Sequence, residues 1–358
     1  MPYARANVTN MAGYTPGEQP QDRRYIKLNT NENPYPPSPQ VAAALRAFEP
    51  ERLRLYPDPV FAALRREAVA LLPGTTPDWV LFGNGSDDLL TIAVRTFVEQ
   101  GGKLACFEPS YSLYPVLAGL QGAACVKIEL TADFNLPADA ATQAAGCSLF
   151  FVARPNAPTG NSFPKAEMRR LCREFPGIVW IDEAYADFAP DNCLELALEF
   201  PNVVVSRTMS KSYALAGLRL GWCYARPELI AEMMKAKDSY NVGLLPQVAG
   251  LAALQDRAYV VAGAKTICAT RERTAAALAK LGCTPVPSAA NFLFVRTPQP
   301  AADVFKALRE NGILVRYFPG ERTGDFLRIT VGTDEEMAAL VTALQVILPK
   351  TESCVMPG

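Results

Sequence analysis

Five short apolar runs alternate with helical patterns between residues 50 and 245, and this alternation limits the possible folds more than any other feature. The runs cover residues 80–82, 104–107, 149–152, 178–181 and 203–205. They are apolar throughout, which is typical of strands in a parallel sheet that is covered on both faces. The order of strand and helix therefore predicts an α/β fold with a mainly parallel open sheet.

The pattern changes after about residue 250. A long helical pattern is followed by strand-like runs at residues 292–295, 313–315 and 326–329, which predicts a smaller α+β domain. The proline-rich residues 33–37 suit neither a helix interior nor a central strand. The predicted division is an N-terminal arm over residues 1–40, a large domain over 41–248, and a small C-terminal domain, packed with part of the arm, over 249–350.

Composition argues against several classes of protein. The formal net charge is −1, so no overall field favours nucleic acid or an anionic membrane. No apolar run approaches the roughly 18 residues of a membrane span, and the first residues do not resemble a signal peptide. The nine cysteines are scattered without a C-x-x-C pair, so neither a disulfide framework nor a metal site is expected. We therefore expect a cytoplasmic protein without metal, nucleic-acid or membrane partners.

The chain contains no histidine. Imidazole is the usual group for acid–base catalysis near neutral pH. If this chain is an enzyme, proton transfer must therefore use a carboxylate, a tyrosine, a cysteine or a lysine with a shifted pKa.

Polar or aromatic groups follow each of the five apolar runs within a few residues. They are Ser86, Tyr111, Asn156, Asp182 with Tyr185, and Ser210 with Lys211. Ligands of parallel α/β sheets bind in the crevice beyond the carboxyl ends of the strands. The sequence therefore predicts one ligand site at one edge of one sheet.

Each of these signals also has an ordinary structural interpretation. The glycine-rich residues 83–87, which include Ser86 and Asp87, could bind an anion at a helix N-terminus or could be a capped turn. Lys211 could be a solvated surface lysine, and Asp182 could cap a helix. Because these residues occur together in one chain, a shared ligand site is favoured over the ordinary interpretation of each.

Residues 208–219, Thr-Met-Ser-Lys-Ser-Tyr-Ala-Leu-Ala-Gly-Leu-Arg, resemble the cofactor-lysine motif of fold-type I pyridoxal-phosphate (PLP) enzymes. The segments at residues 31–35, 55–59 and 327–332 narrow the resemblance to the histidinol-phosphate aminotransferases. The similarity runs from residue 13 to about residue 345. Pro36 departs from the family, which usually has glycine there, and should stiffen the arm.

This resemblance implies fold type I and a PLP cofactor carried by Lys211 as a Schiff base. Lys211 would also move the substrate proton, while Asp182 would pair with the pyridine nitrogen. Tyr185 and Asn156 would bond the phenolic oxygen of the ring, and Tyr111 would stack on the ring. The cofactor phosphate would be held by backbone N–H groups of residues 83–87, which include Ser86 and Asp87, together with Ser210 and Arg219.

The resemblance also implies a homodimer with shared active sites. Tyr56 would come from the neighbouring subunit and reach the cofactor phosphate. Tyr14, Arg316 and Arg328 match positions that grip the phosphate of the substrate. From the residues alone, the two arginines could instead be solvated charges on edge strands.

The implied reaction is reversible transamination in histidine biosynthesis, between a small phosphorylated amine and a 2-oxo acid. Histidinol phosphate and 2-oxoglutarate would interconvert with imidazole-acetol phosphate and glutamate. A threonine-phosphate decarboxylase or a broad aromatic aminotransferase would use the same scaffold. A PLP-sensing regulatory domain is disfavoured, because only about 40 residues precede the first helical pattern and none resemble a basic recognition helix.

Overall fold

The computed structural model describes residues 3–348. Its helices are α1 (Ala6–Thr9), α2 (Pro39–Arg46), α3 (Ala62–Ala68), α4 (Ser86–Phe97), α5 (Leu113–Gln121), α6 (Ala140–Gln143), α7 (Lys165–Glu174), α8 (Leu196–Glu199), α9 (Pro227–Ala236), α10 (Leu244–Gln255), α11 (Arg257–Lys280), α12 (Ala301–Glu310) and α13 (Asp334–Ile347). Its strands are β1 (Ile26–Lys27), β2 (Val80–Gly83), β3 (Lys103–Glu108), β4 (Ala124–Glu129), β5 (Leu149–Ala153), β6 (Ile178–Asp182), β7 (Val203–Thr208), β8 (Gly221–Tyr224), β9 (Thr284–Pro285), β10 (Phe292–Arg296), β11 (Ile313–Leu314), β12 (Arg316–Tyr317) and β13 (Phe326–Thr330).

The large sheet has seven strands in the order β2-β8-β7-β6-β5-β3-β4. Strands β7, β6, β5, β3 and β4 are parallel, whereas β8 runs antiparallel to both β2 and β7. The five predicted runs are β2, β3, β5, β6 and β7, and all five point in the same direction. The prediction of a mainly parallel α/β sheet is confirmed.

The five predicted strands are largely buried because both faces of the sheet are covered. Every residue of β5 and β7 is buried, and Phe150, Phe151 and Trp180 are fully enclosed. Burying one large apolar side chain contributes roughly 1.5–3 kcal/mol. Within residues 3–348, no helix is both long and apolar enough to cross a membrane.

A smaller antiparallel sheet follows, in the order β12-β13-β10-β9. A second apolar cluster covers it and includes Leu28 from the N-terminal segment. In contrast, Ala249, Ala253 and Val260 pack in the core of the large sheet. The division after residue 248 stays a prediction, and this packing favours a later boundary; residues 349 and 350 of the predicted small domain lie outside the described residues.

The N-terminal segment connects the small sheet with the large one. Strand β1 pairs in parallel with β11, and the N–H of Thr330 donates to the carbonyl of Leu28 (2.9 Å). The proline-rich residues 33–37 then contain neither helix nor strand, as predicted. This path carries residues 29–33 past the carboxyl edge of the large sheet.

Candidate active site

A cavity of about 230 Å³ lies at the carboxyl edge of the large sheet. Most residues that the sequence predicted as site residues line it, namely Tyr14, Ser86, Asp87, Tyr111, Asp182, Tyr185, Ser210, Lys211, Arg219, Arg316 and Arg328. Tyr56 and Asn156 do not. The parallel strands therefore bring residues from across the chain to one place, and the individual roles stay predictions.

Lys211 follows β7 and is half-buried in the cavity wall. Its Nζ donates to the carbonyl of Thr30 (3.3 Å) and lies 5.6 Å from the ring centre of Tyr185. The amide of Asn33 holds the Lys211 loop by donating to the carbonyls of Lys211 (3.0 Å) and Ser212 (3.2 Å). Lys211 forms none of the ion pairs within residues 3–348, so no carboxylate there competes with a ligand for its amine.

Asp182 ends β6 with its carboxylate in the floor of the cavity. The hydroxyl of Tyr114 donates to Oδ2 (3.0 Å) and that of Ser206 to Oδ1 (3.3 Å). Burial raises the pKa of Asp182 from its ordinary value of 3.8 to about 6, although both hydroxyls oppose this shift. A buried carboxylate without a cation is costly, so this position suits a positively charged ligand atom.

An anion cradle lies where α4 begins. The first N–H groups of a helix have no partner inside the helix. Arg219 completes the cradle, since its guanidinium donates to Ser210 Oγ (3.2 Å) and to Asp87 Oδ2 (3.3 Å). Gly85 has a φ of +82°, and a Cβ there would lie 2.5 Å from Arg219 Nη2. Glycine is therefore required for the arginine to approach the turn.

A second cationic region lies on the side of the small sheet. Arg316 donates to the carbonyls of Thr15 (2.8 Å) and Pro16 (3.0 Å). Arg328 donates to the carbonyl of Asn29 (3.0 Å), and its buried Nε has no hydrogen-bond partner. Neither arginine pairs with a carboxylate within residues 3–348. This region can therefore accept a second anionic group.

The cavity differs in charge from the chain as a whole. Its walls carry four cationic side chains, Lys211, Arg219, Arg316 and Arg328, but only two carboxylates, Asp87 and Asp182. The whole chain has a formal net charge of −1. The cavity thus favours ligands with more than one negative charge.

Asn156 and Tyr56 are placed differently from the other predicted site residues. Asn156 is buried behind the wall, and its amide donates to the Pro109 carbonyl (3.0 Å) and to Thr159 Oγ1 (2.8 Å). Its predicted bond to a ring oxygen requires one of these bonds to be exchanged. Tyr56 is 79% exposed and stacks on Tyr240, with ring centres 4.3 Å apart.

A buried ionic cluster that the sequence did not reveal lies behind Lys211. Glu183 lies 3.1 Å from Arg207, which also pairs with Asp187 (3.0 Å). Burial opposes ionisation of Asp187, but Arg207, Ser212 and Arg257 outweigh it and lower its pKa. Because Asp187 accepts a hydrogen bond from Ser212, next to Lys211, the cluster supports the lysine loop. The pattern of apolar runs carries no signal for such a cluster.

A family model described as "Aminotransferase class I and II" matches residues 23–344. The chain belongs to this family. It is 45% identical over 345 residues to the histidinol-phosphate aminotransferase of Geotalea uraniireducens, covering 96% of this chain and 99% of that one. It is 47% identical over 341 residues to that of Synechocystis sp., covering 95% and 97%. The resemblance inferred from the motifs is confirmed.

Solved structures share the fold. Histidinol-phosphate aminotransferase from Sinorhizobium meliloti, in complex with pyridoxal-5'-phosphate, superposes with a TM-score of 0.88 at 24% identity and covers 97% of this chain and 99% of that one. Aspartate aminotransferase from Thermus thermophilus with maleate gives a TM-score of 0.77 at 19% identity and covers 91% and 92%. The predicted fold class, with a large mainly parallel sheet and a smaller second sheet, agrees with both.

Proposed function

We propose that this chain is a PLP-dependent histidinol-phosphate aminotransferase of histidine biosynthesis. It exchanges an amino group between histidinol phosphate and 2-oxoglutarate, giving imidazole-acetol phosphate and glutamate. The observation that carries the proposal is the cavity, where an unpaired lysine and a buried carboxylate lie between two cationic regions. Near-complete coverage of relatives bearing this name supports the choice of substrate.

The residues of the cavity fit PLP. Asp182 lacks a cationic partner within residues 3–348 and would pair with the protonated ring nitrogen. The cradle at Gly85 and Arg219 would hold the phosphate, and Lys211 would hold the aldehyde carbon. When bound, the cofactor supplies an electron sink for the electrons of the substrate Cα–H bond.

The side chains that line the cavity would move the substrate proton and hold the cofactor ring in position. Lys211 Nζ takes the proton from the substrate Cα and keeps it close until it is returned, because the chain offers no histidine. Asp182 would keep the proton on the ring nitrogen of the cofactor. Tyr111, whose hydroxyl donates to Asp87 Oδ1 (3.1 Å), would cover the ring. The phosphate anchors Ser210 and Arg219 keep the ring from turning.

The second cationic region binds the distant anionic group of each substrate. Tyr14, whose ring packs edge-on against Tyr111 at 5.9 Å, lies with Arg316 and Arg328 on this side of the cavity. Histidinol phosphate presents a phosphate there, and the 2-oxo acid presents a carboxylate. The same arginines can therefore serve both substrates in turn.

Half-reactions test the substrate assignment. We expect histidinol phosphate to convert the PLP form rapidly, and histidinol, phenylalanine and threonine phosphate to convert it slowly. Arg316→Gln should weaken the reaction of histidinol phosphate about 10- to 100-fold, because it removes a charged hydrogen bond to the phosphate. Loss of visible absorbance on mixing measures each rate.

A matched arginine serves as the control for this experiment. Arg322 contacts Glu129 and the carbonyls of Leu130 and Thr131 and does not line the cavity. Arg322→Gln should leave all four rates unchanged. The substrate assignment is wrong if phenylalanine or threonine phosphate reacts fastest, or if Arg316→Gln slows histidinol as much as histidinol phosphate. Release of carbon dioxide from threonine phosphate would indicate a decarboxylase.

The homodimer is part of the proposal. An exposed apolar patch, formed by Leu53, Leu55, Tyr56, Val60 and Tyr240, would pack against a second copy. Patches of this kind are usually binding surfaces. Because Tyr56 does not reach the cavity of its own chain, it would reach the cofactor phosphate of the partner.

Hybrid dimers test this arrangement. Lys211→Ala subunits, inactive alone, are refolded together with Tyr56→Phe subunits, which should bind PLP weakly. In each hybrid, one site combines an intact Lys211 with an intact Tyr56, so at limiting PLP we expect up to half of the wild-type activity per hybrid. If the mixture shows no more activity than its separate components, Tyr56 does not act across the interface.

The cytoplasmic location and the domain division are proposals too. The scattered cysteines, none of them in a C-x-x-C pair, support a reducing compartment. The separate apolar clusters of the two sheets support a large PLP-binding domain and a smaller C-terminal domain.

A further inference from the structure

Asn31 lies where the N-terminal segment, the small sheet and the large sheet meet. It is buried and has a φ of +56°, a conformation that asparagine tolerates better than most residues. Its N–H donates to Thr330 Oγ1 (2.9 Å), and its carbonyl accepts from the amide of Asn291 (3.0 Å). The main chain of Asn31 is therefore held on both sides.

The hydrogen bonds of Thr330 determine the orientation of the Asn31 side chain. Thr330 Oγ1 accepts from the Asn31 N–H, so its own hydrogen is free to reach Asn31 Oδ1 (3.2 Å). The other end of the amide, Nδ2, then faces the hydroxyl oxygen of Tyr185 (2.9 Å). In this orientation the hydroxyl hydrogen of Thr330 has an acceptor, Asn31 Oδ1. If the amide were flipped, the Thr330 hydroxyl would face Nδ2, which cannot accept a hydrogen bond.

The Asn31 amide restricts the Tyr185 hydroxyl in turn. Since the Tyr185 oxygen accepts from Asn31, its own hydrogen must point elsewhere. Tyr185 lines the cavity beside Lys211. We propose that Asn31 is a positioning residue that directs the Tyr185 hydroxyl proton into the cavity, toward the phenolic oxygen of the bound cofactor. This inference rests on the proposed PLP site.

The direction of the Tyr185 proton matters because Asn156, the other predicted donor to the phenolic oxygen, already donates to other groups. Both amide hydrogens of Asn156 are used, by Pro109 and by Thr159. Asn156 would have to give up one of these bonds to donate to the phenolic oxygen, whereas the Tyr185 proton is not committed to Asn31. Donation to the ionised phenolic oxygen stabilises the deprotonated lysine–cofactor linkage and so lowers the pKa of that linkage.

The test is a pH titration of the substrate-free holoenzyme, followed by the visible absorbance of the lysine–cofactor linkage. Asn31→Asp keeps the shape of the side chain but offers only acceptors, so the Tyr185 proton should turn toward it. We expect the pKa of the linkage to rise by about one to two units. No substrate is needed for this measurement.

Two controls separate the direction of the proton from the added charge. Asn29→Asp places a carboxylate two residues away; Asn29 also lines the cavity but has no hydrogen bond to Tyr185. Its shift should be smaller. In the Tyr185→Phe background, Asn31→Asp should produce no more than the Asn29→Asp shift, because no hydroxyl proton remains to be redirected.

Asn31→Gly provides a neutral variant that tolerates the same backbone conformation. It removes the hydrogen-bond donor to the Tyr185 hydroxyl without putting an acceptor in its place. We therefore expect the pKa of the linkage to rise less than in Asn31→Asp, and not to rise at all in the Tyr185→Phe background. The inference is overturned if Asn31→Asp leaves the pKa unchanged, or shifts it equally with and without the Tyr185 hydroxyl. A purely structural role for Asn31 would give that second result.

The titration also distinguishes this inference from the proposed function. If the substrate is not histidinol phosphate, the half-reactions fail but the titration results stand. If the wild-type protein forms no pH-dependent visible band with PLP, the cofactor assignment fails and the role of Asn31 fails with it.

Discussion

Lys211→Ala is expected to lower turnover at least about 10²- to 10⁴-fold, the range typical of losing a general base. The loss of the nucleophile adds to this effect. The variant should still bind PLP without a covalent bond, because Asp182 and Arg219 remain in place. Steady-state turnover, together with the absorbance of the bound cofactor, measures both effects.

The matched control is Lys265→Ala, which removes an exposed lysine of α11. It should turn over at the wild-type rate. Addition of a small primary amine should partly restore Lys211→Ala, since the missing function is an amine at a defined place. Turnover of Lys211→Ala at the wild-type rate would exclude Lys211 as the base.

Asp182→Asn is expected to have opposite effects on activity and on stability. Turnover should fall by orders of magnitude, because a neutral amide cannot hold the proton on the ring nitrogen. The cofactor-free variant should nevertheless be more stable than the wild type above about pH 6. Denaturant unfolding of both cofactor-free proteins measures the difference.

The sign of this stability effect follows from the raised pKa of Asp182. The folded protein disfavours the ionised carboxylate, so the cost is absent below the unfolded pKa of 3.8 and complete above the folded pKa of about 6. This difference corresponds to about 3 kcal/mol at most. The advantage of Asp182→Asn should therefore shrink as the pH falls from about 6 toward about 4. The prediction fails if Asp182→Asn destabilises the cofactor-free protein equally near pH 6 and near pH 4.

The parallel strands β3, β5, β6 and β7 of the large sheet could be predicted from sequence because each contains an uninterrupted apolar run. Strand β8 was missed, since Gly221–Tyr224 follows β7 without an intervening α-helix and so departs from the alternation of strand and helix. Strand β4 was missed for a different reason. It is an edge strand, and Lys127 and Glu129 interrupt its apolar pattern.

Cavity residues could be predicted where they come directly after a strand of the parallel sheet, as Asp182 and Lys211 do, because the carboxyl ends of these strands meet at one edge. Asn31 and Asp187 carried no such signal, because their contacts with Tyr185 and Ser212 form only in the folded chain. A motif can include Asn31 without indicating what it contacts. Tyr56 requires a second copy of the chain before any role can be assigned to it.

The hydrogen bonds between Asn31 and Thr330 join residues that are 299 positions apart. A ribosome adds about 5–20 residues per second, so Lys211 emerges several seconds before the strand that contains Thr330. During that interval the growing chain carries Lys211 without the hydrogen bonds that join Thr330 to Asn31, the residue that contacts Tyr185. If Lys211 carries the cofactor and Asn31 positions Tyr185 as proposed, capture of the cofactor in its final geometry is a late event in the synthesis of this protein, after β13 has been made.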